Sequence, residues 1–115
     1  MTVHRSFQSD LTYNDAKVRT QVILETSFTK EIRIILKKGQ NMREHKAPFP
    51  IIVHLLEGSI DFGIEGTINK LEKGAIITLL GNVPHDLFAH EDSIVRLSLS
   101  KLDKPERVED VAQNS

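Results

Sequence analysis

Between residues 20 and 100 the chain repeats one pattern, a short run of apolar or alternating positions followed by a turn signal. The runs are TQVILETSF, EIRIILKKGQ, PIIVHLLEG, SIDFGIEG, TINKLEKG, AIITLLGN, HDLFAHED and SIVRLSLSK. Gly58, Gly66, Gly74 and Gly81 punctuate them, about eight residues apart. In SIDFGIEGTINKLEKG, alternation puts Ile60, Phe62 and Ile64 on one strand face, and Glu65-Gly66 is the turn of a predicted hairpin. No helical periodicity intervenes and no strand–helix alternation is visible, so the pattern predicts an all-β sandwich or barrel. The one helix-like stretch is DKPERVEDVAQNS, where Asp103 is a candidate cap, Pro105 falls in the first turn, and Val108 and Val111 lie three apart. A charged tail without a helix is the alternative there. The expected division is an N-terminal arm over residues 1–19, a barrel over 20–102, and a tail or short helix over 103–115. The polar arm is expected to lie across a sheet edge.

Residues 51–56 break the alternation, because Ile51, Ile52, Val53, Leu55 and Leu56 are apolar on both strand faces. Such a strand needs cover on both sides. The core supplies one side, and a second copy of the chain is expected on the other, giving a homodimer through strand 51–56. The N-terminal arm is the competing source of that cover.

Composition narrows the function classes. A chain of 115 residues is one domain by length, with enough buried surface to fold without staples. It has no cysteine, which excludes disulfides, thiolate metal sites and cysteine nucleophiles and fits a cytoplasmic location. The opening MTVHRSFQSDLTYNDAKV has no apolar signal segment, and no run approaches the roughly 18 apolar residues of a membrane span. Fifteen basic and sixteen acidic residues give a net charge of −1, without the basic footprint of a nucleic-acid binder. Five Phe, one Tyr and no Trp leave little for stacking bases or sugars. Gly-rich phosphate loops and nucleophile-elbow serines are absent.

From Gly39 onward the chain resembles the cupins, small jelly-roll barrels also described as double-stranded β-helices. Gly39, five residues, His45 and then the Gly58 of LLEG follow the spacing of the family's first motif. Gly74 and His85 in GAIITLLGNVPHDL follow the second. The resemblance covers roughly residues 30 to 100, and it implies fold more than activity, since one fold hosts many functions. It also implies one divalent metal (Fe, Mn, Ni or Zn) held by two first-motif histidines, a glutamate and the second-motif histidine. Here only His45 and His85 survive. The other two positions fall on Ala47 and Ile51, and the second motif's proline and glycine become Leu80 and Asn82.

Two imidazoles fall short of the usual protein donor sets for zinc or non-haem iron. His54 has the opposite strand parity to Ile51 and is expected to point away from the barrel. His90, in AHED, reads as a solvated turn residue, and His4 lies in the arm. The resemblance places His45 and His85 facing each other in the barrel mouth. There they are relics of a metal site, polar groups that orient a ligand, or acid–base residues. Arg43, Ala47, Ile51, Val53, Leu55 and Leu87 are the other expected pocket residues, with Arg43 a candidate anchor for a carboxylate or phosphate. Two functions follow. The first is binding of a small organic ligand in a barrel whose metal site is degenerate. The second is a metal-dependent oxygenase or isomerase working through His45 and His85.

Overall fold

The computed structural model describes residues 2–115. Among these residues nine strands form two antiparallel sheets that face each other. The larger sheet has the order β1 (Arg19–Glu25), β2 (Thr29–Leu36), β9 (Ser93–Ser100), β4 (Ile51–Glu57), β7 (Ile76–Leu79). The smaller has the order β3 (Asn41–His45), β8 (His85–Ala89), β5 (Ser59–Ile64), β6 (Thr67–Glu72). A single short helix, α1 (Pro105–Gln113), follows among the described residues.

Alternation builds the core. Ile32, Ile34 and Leu36 of β2, Ile51, Val53 and Leu55 of β4, and Val95, Leu97 and Leu99 of β9 point inward from one sheet. Ile60 and Phe62 of β5 and Leu87 and Ala89 of β8 meet them from the other. Each fully buried side chain of this size contributes roughly 1.5–3 kcal/mol. The β5–β6 hairpin turns at Glu65-Gly66, both with positive φ (49° and 84°), as a tight two-residue turn that matches strand twist requires. Gly58, between β4 and β5, is needed twice over. Its φ is +94°, and a Cβ there would lie 2.2 Å from Ser93 Oγ and 2.6 Å from the Asp92 carbonyl oxygen.

The N-terminal segment crosses the outer face of the larger sheet at its β1–β2 end. The Arg33 guanidinium donates to the backbone oxygens of Phe7 (3.0 Å) and Ser9 (2.7 Å), Gln40 Nε2 donates to Asn14 O (2.7 Å), and Lys37 pairs with Asp15. Next to it on that face, Ile52 of β4 remains 41% exposed and Phe28 71% exposed.

Helix α1 closes one end of the barrel. Pro105 occupies its first turn, where no amide hydrogen bond is forfeited, and Val108, Val111 and Ala112 are buried. Asp103 is not its cap, because Lys104 holds that position without a side-chain bond. The Asp103 carboxylate instead accepts from Lys104 N (2.7 Å) and from Arg107 Nη2 (2.8 Å) and Nε (3.1 Å), a short-range pair that fixes the turn into the helix. Among the described residues no helix is long and apolar enough to cross a membrane.

Candidate functional site

His45 ends β3 and His85 begins β8, and the two are register partners on adjacent strands. Their ring centroids lie 4.3 Å apart, edge to face, and His85 also stacks on Phe62 at 5.5 Å. They therefore sit side by side on one sheet and do not face each other across the interior. His85 is 4% exposed, and His45 keeps a partly exposed edge.

Backbone carbonyls set the tautomer of both rings. His45 Nδ1 is 2.7 Å from Arg43 O, and His85 Nδ1 is 2.9 Å from Val83 O. A carbonyl oxygen only accepts, so each Nδ1 carries the proton and each Nε2 is left with its lone pair. Burial pushes the His45 pKa down to about 4, and the neighbouring His85 and the charges of Arg107 and Arg43 act in the same direction. Burial, assisted by Arg107, also lowers His85. Both imidazoles are neutral at pH 7 and present acceptors.

The cavity beneath them is apolar and small. Ile34, Met42, Ile51, Val53, Phe62, Leu87, Val95 and Leu97 form its walls, together with Val108 of α1. The remaining volume is about 10 Å³, room for a single water. Of the residues expected at the site, the structure brings His45, Ile51, Val53, His85 and Leu87 together here. Ala47 and Leu55 are buried in the core but do not line this cavity. Arg43 points out of the barrel, contrary to strict alternation. The β3–β8 register shifts between Met42 and His45, which turns Arg43 and Glu44 to solvent while Met42 and His45 both face inward. Arg43 instead holds the end of α1, donating from Nη1 to Asn114 O and from its amide to Ser115 Oγ, both at 2.9 Å.

Two contributors were not foreseen, Arg107 and Val108. The Arg107 charge reaches both imidazoles, and its Nη1 is buried without an acceptor. Spacing along the chain carries no signal that a helix 60 residues past His45 would return over it. His54 faces outward on β4, beside Arg96 and Ile76 in register, and is not part of the site. His90 is not merely solvated, since its Nε2 lies 2.8 Å from Asp61 Oδ2.

The donor set does not suit a cupin-type metal. Among the described residues no three His, Asp or Glu side chains stand close enough together to hold an ion, and Ile51 lines the cavity with hydrocarbon where the cupin resemblance expects a carboxylate.

No protein-family model and no curated protein matches the sequence. Solved structures do. An RmlC-like cupin from Desulfovibrio desulfuricans superposes with a TM-score of 0.77 at 20% identity, covering 87% of this chain and 96% of that one. KdgF from Halomonas sp. gives 0.75 at 16% identity, with 92% and 99% covered. An RmlC-like cupin from Shewanella frigidimarina gives 0.75 at 18%, with 93% and 96% covered. The chain has the cupin fold, a double-stranded β-helix jelly roll closed by one C-terminal helix.

Proposed function

We propose that the protein binds a small organic molecule at the His45–His85 end of the barrel, without a resident metal. The observation that carries this reading is the pair of neutral imidazoles, each locked as the Nδ1–H tautomer, above an apolar chamber. Two lone-pair nitrogens invite a hydroxyl or N–H donor, and Arg107, whose charge is paired with Asp103 but whose buried Nη1 lacks an acceptor, invites a carbonyl oxygen. A ligand with both groups on a short apolar frame satisfies every one of these. Because the chamber holds about 10 Å³, entry requires Val108 and α1 to shift. Neutral imidazoles at pH 7 also suit proton abstraction, but among the described residues no carboxylate orients either ring. The bonds at Nδ1 go to backbone carbonyls, which favours binding over turnover.

The test combines native mass spectrometry and metal analysis of untagged protein with ligand-observed NMR against small hydroxy acids, phenols and amides. A hydroxyl- or N–H-bearing molecule should bind, and His45→Ala or His85→Ala should weaken it at least tenfold with the fold retained. One metal ion per chain that disappears in His45→Ala would overturn the reading in favour of a metal-dependent enzyme. So would a complete lack of binding by wild type and by Val108→Ala.

A further inference from the structure

A second site lies on the opposite side of the larger sheet from the chamber, and it does not depend on the reading above. Arg33 projects from the outer face of β2, is only 2% exposed, and has no carboxylate within ion-pair distance among the described residues. Its guanidinium meets only neutral acceptors. These are the carbonyls of Phe7 and Ser9, that of Asp10 at 3.5 Å, and Gln21 Oε1 at 2.9 Å, while Nε is buried with no partner at all. A buried cation without a counter-charge is costly, and carbonyl dipoles offset only part of that cost.

Beside it, between the N-terminal arm and strands β1 and β2, opens a cleft of about 380 Å³. His4, Arg5, Ser6, Ser9 and Asp10 line it from the arm, with Gln21 and Arg33 from the sheet. Arg5 is exposed and likewise lacks a carboxylate partner among the described residues; its Nη1 donates to the carbonyl of His4. Two guanidiniums in a concave wall focus positive potential into the cleft. The Ser6 and Ser9 hydroxyls add donors, and the Arg5 fork matches a planar oxyanion. Asp10 opposes this field with the one negative side chain at the cleft.

We propose that this cleft binds a small oxyanion, a phosphate or carboxylate group. Arg5 supplies direct hydrogen bonds, Arg33 supplies the uncompensated charge, and the bound anion ties the arm to the sheet.

Thermal unfolding with inorganic phosphate or citrate, against sodium chloride of equal ionic strength, provides the test. At about ten times its dissociation constant the oxyanion should raise the wild-type Tm by about 3–6 °C over chloride. Arg5→Gln alters an exposed side chain and should abolish most of that rise. Asp10→Asn removes the opposing charge at a position whose φ of 53° asparagine tolerates well, and it should tighten apparent affinity roughly threefold. His45→Ala, in the barrel chamber, should leave the effect intact. That arm separates this site from the organic-ligand site. Stabilisation equal to that by chloride, or identical in wild type, Arg5→Gln and Asp10→Asn, would overturn the proposal.

Discussion

Val108 is the side chain that decides whether the barrel end is a packed core or a binding chamber, so Val108→Ala is the sharpest perturbation. It is 1% exposed and lines the same cavity as His45 and His85. Truncation to alanine deletes two carbons, worth about 0.8 kcal/mol each in transfer free energy, and leaves a void that adds to the loss. The expected cost is about 2–3 kcal/mol, which for a chain of this length lowers Tm by roughly 8–12 °C. Urea unfolding reads the same quantity as a shift in midpoint at constant slope. The void opens into the cavity that His45 and His85 also line, so ligand atoms can refill it. A small organic ligand should bind Val108→Ala roughly tenfold more tightly than wild type, because refilling recovers a similar transfer free energy. Val111→Ala is the control. It is also buried, at 5% exposure against 1%, but does not line the cavity, so it should lose similar stability without gaining affinity. A stability cost below about 0.5 kcal/mol would show that α1 is not packed on the barrel. Unchanged or weaker binding by Val108→Ala, with Val111→Ala behaving the same, would refute Val108 as the plug.

Two further outcomes are expected. Burial lowers the His45 pKa from 6.5 to about 4, so the unfolded chain binds more protons between those values. The His45 contribution to stability should be level above pH 6.5, fall as pH drops toward 4, and level off below. The full shift would correspond to about 3 kcal/mol, and the ring's exposed edge reduces this to about 1–3 kcal/mol. Urea midpoints at pH 8, 6 and 4.5 should show the fall, and His45→Gln should make it shallower, leaving the His85 part; equal slopes in both proteins would count against a buried neutral His45. The uncovered strip of the larger sheet, with Ile52 at its centre and Phe28, Pro50 and Thr78 around an apolar groove, is expected to pair with a second copy of the chain. Light scattering should report a wild-type dimer at micromolar concentration and a monomer for Ile52→Glu, and a wild-type monomer would remove the interface.

The strand architecture was legible in the sequence wherever alternation ran without interruption. In β4, Ile51, Val53 and Leu55 face the core while Ile52 and His54 face out, because a strand's side-chain period is two and the register with β9 runs unbroken from Ile51 to Leu55, shifting only between Leu55 and Glu57. Turn chemistry was equally local, since Glu65-Gly66 and Gly58 sit where only left-handed backbone closes the chain. β3 was not legible. NMREH offers one apolar residue, and its bulge places Met42 and His45, three apart, on the same side. The same bulge expelled Arg43 from the expected pocket, since one slipped residue reverses every later side chain. The two histidines could be named from motif spacing, but their register pairing, shared tautomer and lowered proton affinity arise from strand neighbours and burial. The lining of the chamber by Val108, the approach of Arg107, and the stranding of Arg33 beneath the N-terminal arm are long-range events. They depend on where α1 and the arm come to rest, and packing between distant segments decides that.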